Sequence, residues 1–127
     1  MSKKHVAAFD GSATPNPGQM KIGGYIRLDR TNVFSFSKDI GQGTNNIAEY
    51  AALLTLVRAA REKGIQNIYI QGDSQLVINQ VNGIWKARDP RMKQYKDRVL
   101  SVLKDIEHWE LKHVKRAYNK IADSLTR

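Results

Sequence analysis

Short apolar runs and helical repeats follow one another along the chain and predict an α/β fold. Five runs have the length and composition of β-strands: residues 6–9, 22–28, 32–37, 67–71 and 109–114. Four segments have helical patterns: 46–63, 74–81, 89–107 and a short one from about residue 119. The second and third strands are expected to form a hairpin, and helical crossovers are expected to make the later strands parallel. The turn-rich residues 11–18 predict a loop.

Length and composition predict one compact domain over residues 1–127, because a chain of this size with 41% hydrophobic residues can bury a core. The sequence contains no cysteine, which excludes disulfides, thiolate metal sites and a cysteine nucleophile. It contains neither a signal-peptide pattern nor an apolar stretch of about 20 residues, the length that a membrane span requires. We therefore expect a cytoplasmic protein without a membrane partner.

The balance of charge adds an expectation about partners. Lys and Arg number 21 against 12 Asp and Glu, which gives a formal net charge of +9. Such a chain attracts polyanions. Nucleic acid is favoured over a membrane surface, because no strongly amphipathic basic helix is predicted.

Four carboxylates are candidates for a metal site. Asp10 and Asp73 each follow a predicted strand, and neighbouring parallel strands end at the same edge of a sheet. Glu49 is expected in the first turn of the Ala-rich helix, and Asp123 in the last helical segment. Carboxylates brought close together raise one another's pKa values unless divalent cations neutralise them. Mg²⁺ and Mn²⁺ prefer such oxygen ligands.

Each carboxylate also has a local interpretation. Asp10 precedes Gly and Ser and is typical of an Asx turn. Asn46 and Glu49 have the spacing of a capping box. Asp73 is positioned to cap the following helix, and Asp123 is typical of a solvated surface charge. Taken one at a time, these residues do not distinguish the two interpretations.

The residues around the carboxylates resemble the type 1 ribonuclease H family over nearly the whole chain. The matching motifs are DGS at 10–12, NPG at 16–18, TNNIAEYAAL at 44–53, GDSQLV at 72–77 and NKIADSL at 119–125. The resemblance implies a five-stranded mixed sheet, three antiparallel strands then two parallel, with flanking helices. It also implies an endonuclease that cuts the RNA strand of RNA–DNA hybrids with two Mg²⁺ ions, for which Mn²⁺ substitutes. The expected products carry 5′-phosphate and 3′-hydroxyl ends.

The same resemblance assigns a role to each carboxylate. Asp10 would bridge both metal ions, and Glu49 and Asp73 would hold the ion on the leaving-group side. Asp123 would bind the ion that delivers the attacking water. Two ions in these places stabilise the attacking and leaving oxygens of an in-line displacement.

Substrate contacts are implied at six positions. These are Gly11, Ser12, Asn16, Thr44, Asn46 and Gln75. The three amide side chains would read the minor groove, since each offers a donor and an acceptor without selecting one sequence. Thr44 would contact a phosphate of the DNA strand. Backbone groups of residues 10–18 would meet the RNA 2′-hydroxyl, and the absence of a side chain at Gly11 and Gly18 would let the duplex approach.

The chain departs from many bacterial members of the family in two places. It has no flexible loop with a catalytic histidine before Asp123, and His113 falls in the last predicted strand. Arg116 and Asn119 are therefore candidates for auxiliary roles, Asn119 by orienting Asp123 from one helical turn away. The basic protrusion of some relatives is also missing, and only residues 83–88 remain.

The shortened segment still supplies a candidate substrate contact. Six cations fall within the thirteen residues 86–98, beginning with Lys86 and Arg88. Trp85, directly before them, offers a flat contact surface. If these cations contact phosphates, binding will weaken steeply with salt. The alternative is a solvated basic helix face with a core tryptophan.

Two other functions stay open at this point. One is a catalytically weak or inactive nucleic-acid-binding module with the same fold. The other is a nuclease that acts on DNA, as in related resolvases and transposases. Double-stranded RNA is a further candidate substrate because it shares A-form geometry and 2′-hydroxyls with the hybrid. We expect a monomer.

Overall fold

The computed structural model describes residues 3–116 and residue 119. In this part the chain forms five strands and three helices: β1 (His5–Thr14), β2 (Gly18–Arg27), β3 (Val33–Gly43), α1 (Asn45–Glu62), β4 (Asn67–Gly72), α2 (Gln75–Val81), α3 (Pro90–Leu103) and β5 (His108–His113). The strands make one sheet in the order β3-β2-β1-β4-β5. The pairs β1–β2 and β2–β3 are antiparallel, and β1–β4 and β4–β5 are parallel. The predicted mixed sheet is confirmed.

The predicted loop over residues 11–18 is wrong, because most of this stretch belongs to the first hairpin. β1 continues to Thr14, which pairs with Gln19 of β2. Only residues 15–17 therefore form the turn. Small and polar residues in this stretch alternate between buried and less buried positions, as expected for a strand. Cross-strand pairing outweighs the turn preference of Gly, Ser and Thr.

Helix α1 forms the centre of the core. It is buried from Ile47 to Leu54 and packs against β1, β2 and α3. Phe9 and Ile70 of the sheet and Val99 and Leu103 of α3 belong to the same buried cluster. This packing fixes the start of α1 next to the middle of β1.

Helix α3 is shorter than predicted. Asp89 caps its start by accepting from the N–H groups of Arg91 and Met92 at 2.9 and 3.1 Å. The helix ends at Leu103 instead of continuing to residue 107, because Asp105 and Ile106 donate to carbonyls three residues earlier. No helix in the described part of the chain is long and apolar enough to cross a bilayer. The final helical segment predicted from about residue 119 lies outside the described residues, apart from Asn119 itself.

Asp29 holds the turn between β2 and β3. Its carboxylate accepts from both the N–H and the side chain of Asn32 and from the N–H and hydroxyl of Thr31. The side-chain hydrogen bond from Asn32 is the largest cause, followed by the N–H of Thr31, of a pKa lowered from 3.8 to about 2. The ionised carboxylate therefore stabilises the turn above pH 3.8, and this contribution is lost as the pH falls through about 2.

We expect Asp29→Ala to lower the melting temperature at pH 7, with the difference from wild type shrinking as the pH falls toward 2, where wild-type Asp29 becomes protonated. Thermal unfolding followed by circular dichroism at several pH values measures this. Asp39→Ala, which removes an exposed carboxylate from β3, is the matched control. A deficit of the Asp29 variant that stays constant down to pH 2 would show that the carboxylate charge plays no part.

Candidate active site

Three of the four candidate carboxylates lie together at one edge of the sheet. Asp10 is in β1, Asp73 follows the end of β4, and Glu49 is on α1; each offers an oxygen, and these oxygens all lie within 4.8 Å of one another. The parallel register of β1 and β4 explains part of this. Ala8 pairs with Gln71, and Asp10 and Asp73 each come two residues after one of these partners. Asp123 lies outside the described residues.

Gly11 allows α1 to approach β1 closely enough to complete the cluster. A Cβ atom at Gly11 would overlap the carbonyl group of Ala48 and lie 2.6 Å from the backbone nitrogen of Glu49. The Gly11 N–H donates to Oε1 of Glu49. At Gly18 a Cβ would likewise meet atoms of Pro15. The protein's own packing therefore requires both glycines, which is a different reason from the expected approach of a duplex.

The local interpretations of Asp10, Glu49 and Asp73 are wrong, and that of Asp123 falls outside the described residues. Thr44 caps α1 by accepting from the N–H of Ile47 at 3.2 Å, so Glu49 is the fifth residue of the helix and lies beyond its first turn. Ser74, and not Asp73, caps α2. Asp10 lies within a paired strand instead of an Asx turn. None of these three carboxylates therefore serves as a helix cap or forms an Asx turn.

Burial gives Glu49 unusual electrostatics. Asp10 and Glu49 are only 4% and 6% exposed, and desolvation, a hydrogen bond to Asp10 and the charges of Asp10 and Asp73 raise the pKa of Glu49 well above its usual range. The N–H of Gly11 opposes this shift. Among the described residues, Oε2 of Glu49 is buried and has no hydrogen-bond partner. A divalent cation would satisfy this oxygen and neutralise the cluster, so the residues present fit such an ion.

A cleft of about 500 Å³ opens over the carboxylates. It is lined by Asp10, Gly11, Ser12, Asn45, Glu49, Asp73, Ser74 and Arg116. Arg116 is the one basic residue among the described residues in this lining. Metal ions and a phosphate group can enter together at such a site, since it combines carboxylates with a cation and small polar side chains.

A second cleft of about 380 Å³ lies beside the first. It is lined by Asn16, Thr44, Asn45, Asn46, Ile47, Asp89, Arg91 and Met92. Three of the predicted substrate residues are therefore in one place, and the side chain of Asn16 accepts from the N–H of Asn45 at 3.1 Å. Gln75 is exposed at the start of α2, directly after Ser74, and is not among the lining residues of either cleft.

Asn45 is the residue that the sequence reasoning did not single out. It lines both clefts, and its Oδ1 accepts from the N–H of Ala13 at 2.7 Å, which ties the start of α1 to β1. The run Thr44-Asn45-Asn46 is polar and precedes the helix, so it could have pointed to Asn45. The predicted helix begins one residue too late, at Asn46, and Asn45 is therefore not selected.

Asn119, the last described residue, is hydrogen-bonded to β1 next to Asp10. It is 2% exposed, and its Nδ2 donates to the carbonyl oxygen of Phe9 at 3.0 Å, beside Asp10. Its backbone N–H donates to the carbonyl of Arg116 at 3.0 Å. The contact expected between Asn119 and Asp123 falls on the residues that are not described.

The shortened basic segment is on the surface. Trp85 is 43% exposed, so the alternative of a core tryptophan is wrong, and Lys86 and Arg88 are exposed as well. His113 is exposed at the end of β5, which confirms its expected strand position.

Comparison with known proteins decides the family. Residues 8–127 match the family model described as reverse transcriptase-like. Ribonuclease HI of Halobacterium salinarum is 38% identical over 120 residues, which are 94% of this chain and 60% of that protein. Its crystal structure, that of RNase H1 from strain NRC-1, superimposes with a TM-score of 0.91 at 35% identity, covering 98% of this chain and 95% of that one. The chain belongs to the ribonuclease H family.

Two further ribonuclease H structures are similar. The N-terminal RNase H domain of Rv2228c from Mycobacterium tuberculosis gives a TM-score of 0.93 at 30% identity, covering 98% of this chain and 91% of that one. LC11-RNase H1, solved in complex with an RNA/DNA hybrid, gives 0.87 at 27% identity, covering 96% and 93%. The chain spans 60% of the length of the halobacterial protein and 34% of the bifunctional protein Rv2228c.

Proposed function

We propose that residues 1–127 form one catalytic domain that hydrolyses the RNA strand of RNA–DNA hybrids. The observation that carries this proposal is the cluster of Asp10, Glu49 and Asp73, whose oxygens lie within 4.8 Å of one another in a cleft of a strongly basic chain. One buried oxygen of Glu49 has no hydrogen-bond partner among the described residues. Membership of the ribonuclease H family supports it, as does the hybrid bound by LC11-RNase H1.

The mechanism assigns the carboxylates to metal binding. Two Mg²⁺ ions, for which Mn²⁺ substitutes, would activate the attacking water and stabilise the leaving oxygen. Asp10 would be a ligand of both ions, and Glu49 and Asp73 would hold the ion on the leaving-group side. Asp123 is the proposed ligand on the side of the attacking water. Cleavage leaves 5′-phosphate and 3′-hydroxyl ends.

Asn119 and Gly11 hold the ligands in position. Asn119 holds the Phe9 carbonyl next to Asp10, and the Gly11 N–H orients the Glu49 carboxylate. Both hydrogen bonds form within the protein, so the ligand geometry exists before the ions arrive. Preorganisation of this kind avoids reorganisation during the reaction.

The two clefts provide the substrate contacts. Asn16 and Asn46, with Gln75 at the start of α2, are proposed to touch the minor groove, and Thr44 a phosphate of the DNA strand. The N–H of Gly11 is engaged by Glu49, so the neighbouring Ser12 hydroxyl is the proposed partner of the RNA 2′-hydroxyl.

The cations outside the carboxylate cluster have proposed auxiliary roles. Arg116, at the carboxylate cleft, is placed to hold a phosphate and to assist product release in the absence of a histidine loop. Trp85, Lys86 and Arg88 are exposed and are proposed to contact the hybrid beyond the cleft. We further propose a monomer and a cytoplasmic location, the latter because a chain without cysteine fits a reducing compartment.

The test is a comparison of substrates. Matched RNA–DNA hybrid, DNA duplex and double-stranded RNA, each labelled on one strand, are incubated with the protein and Mg²⁺ or Mn²⁺. We expect cuts in the RNA strand of the hybrid, with 5′-phosphate ends on mapping. Cleavage of the DNA duplex instead would contradict the proposal, and hybrid binding without cleavage in either metal would favour the inactive binding module.

A further inference from the structure

The buried side chain of Gln80 links α1 to the segment that leaves α2. Gln80 is 3% exposed, and its Oε1 accepts from the hydroxyl of Tyr50 at 2.5 Å. Its Nε2 donates to the backbone carbonyl of Lys86 at 3.4 Å. Tyr50 is fully buried and directly follows Glu49 in α1. Hydrogen bonds therefore run from the neighbour of a candidate metal ligand to the backbone of the basic segment.

Only one orientation of the Gln80 amide satisfies both partners. The Lys86 carbonyl can only accept, so it requires the amide N–H, and this leaves the amide oxygen to accept from the Tyr50 hydroxyl. A flipped amide would place two carbonyl oxygens against each other. The Gln80 side chain thus braces the chain in one defined orientation, by linking the Tyr50 hydroxyl to the backbone of Lys86.

The braced segment, residues 84–86, presents its side chains to solvent. The N–H groups of Ile84 and Trp85 both donate to the carbonyl of Asn79, at 2.8 and 3.1 Å. Ile84 is 67% exposed and Trp85 is 43% exposed, and Lys86 is exposed beside them. A backbone anchored at both ends with large exposed side chains is typical of a binding surface, since core packing does not account for it.

We propose that Gln80 is a positioning residue for substrate binding. It holds the backbone of Lys86 at a fixed place relative to α1, so that Trp85 and Lys86 meet a hybrid whose scissile phosphate lies at the carboxylates. This inference rests on the proposed function. Because Gln80 touches neither the carboxylates nor the cleft above them, it acts on the KM for hybrid and leaves kcat nearly unchanged.

The first experiment compares Gln80→Met, which keeps the size of the side chain and removes both hydrogen bonds, with wild type. We expect KM for a hybrid to rise about fivefold and kcat to change less than about twofold. Tyr50→Phe, which removes only the donor to Gln80, should raise KM in the same direction. Gln94→Met, the same substitution at an exposed position of α3, is the control.

A second experiment, in a variant that lacks the two exposed side chains, shows whether Gln80 acts through the braced segment. When Trp85 and Lys86 are both replaced by alanine, Gln80→Met should raise KM by less than about 1.5-fold, because the side chains that it positions are gone. Thermal unfolding of every variant identifies any that fail to fold. In that case Tyr50→Phe in the same two backgrounds takes the place of Gln80→Met.

Two results would overturn the inference: an unchanged KM in Gln80→Met, or an equal rise in KM in both backgrounds. Failure of the proposed function is distinguishable, because the wild-type protein would then not cut the hybrid at all. Fluorescence anisotropy with a labelled hybrid still decides in that case. Weaker binding by Gln80→Met supports the positioning role, and equal binding contradicts it.

Discussion

Replacing Glu49 by glutamine should make the metal-free protein more stable and the enzyme nearly inactive. The wild-type carboxyl group is buried against Asp10 and near Asp73, which raises its pKa and makes its ionised form unfavourable. A neutral amide keeps an oxygen for the Gly11 N–H and adds a donor for Asp10. We expect the free energy of unfolding without divalent ions to rise by about 1–2 kcal/mol.

Cleavage should fall in the same variant by roughly a thousandfold, because a properly held metal ion contributes several kcal/mol to transition-state stabilisation. Chemical denaturation in EDTA and single-turnover cleavage in Mg²⁺ measure the two effects. Glu62→Gln, at the exposed end of α1, controls for the change of charge. A Glu49→Gln variant that is destabilised without metal, or that cuts at the wild-type rate, would contradict the assignment of Glu49.

Gly11→Ala should be the most destabilising small substitution near the site. The added methyl group would overlap the carbonyl of Ala48, and both atoms belong to elements that the core holds in place. We expect a loss of about 2–3 kcal/mol in the free energy of unfolding, typical of overpacking against a backbone that cannot move. Any relief moves α1 away from β1 and carries Glu49 away from Asp10, so the affinity for divalent ions should fall as well.

Gly41→Ala separates this effect from the general cost of replacing glycine. Gly41 has a φ of 94°, but a Cβ there meets no atom of the described residues within 4 Å. It should cost about 1–2 kcal/mol from backbone strain alone and leave metal affinity unchanged. Urea denaturation and calorimetric titration with Mn²⁺ compare the two variants. Equal metal affinity in Gly11→Ala and wild type would show that the close approach does not set the ligand geometry.

The sequence predicts the parts of the site that follow from strand order. Asp10 and Asp73 each follow a short apolar run, and pairing these runs as parallel neighbours predicts that the two aspartates lie together. The structure places them together through this register, although β1 continues past Asp10 to Thr14. The hairpin, the long helix and the parallel later strands follow from similar patterns, whereas the five-stranded mixed sheet is implied by the family resemblance. These features depend on residues close together in the sequence and on general rules of chain connection.

The rest depends on contacts between distant residues. The pairing of residues 11–14 with β2 outweighs their turn preference. The 38-residue separation between Gly11 and Glu49 conceals both the hydrogen bond and the steric reason for glycine. Asn46 and Glu49 fit a capping box, and only the actual position of Thr44 at the helix start excludes it. Gln80 carries no signal of burial in the sequence, because its partners come from α1 and from a loop.

Cleavage of a hybrid labelled on the RNA strand, by wild type and by Asp10→Asn side by side, tests the central claim most directly. Asp10 is the buried carboxylate proposed to bridge both ions, and asparagine keeps its size while removing the charge. The account predicts RNA-strand cuts by wild type in Mg²⁺, none in EDTA, and none by the variant in either condition. Equal cutting by both proteins, or cutting by wild type that persists in EDTA, would contradict it.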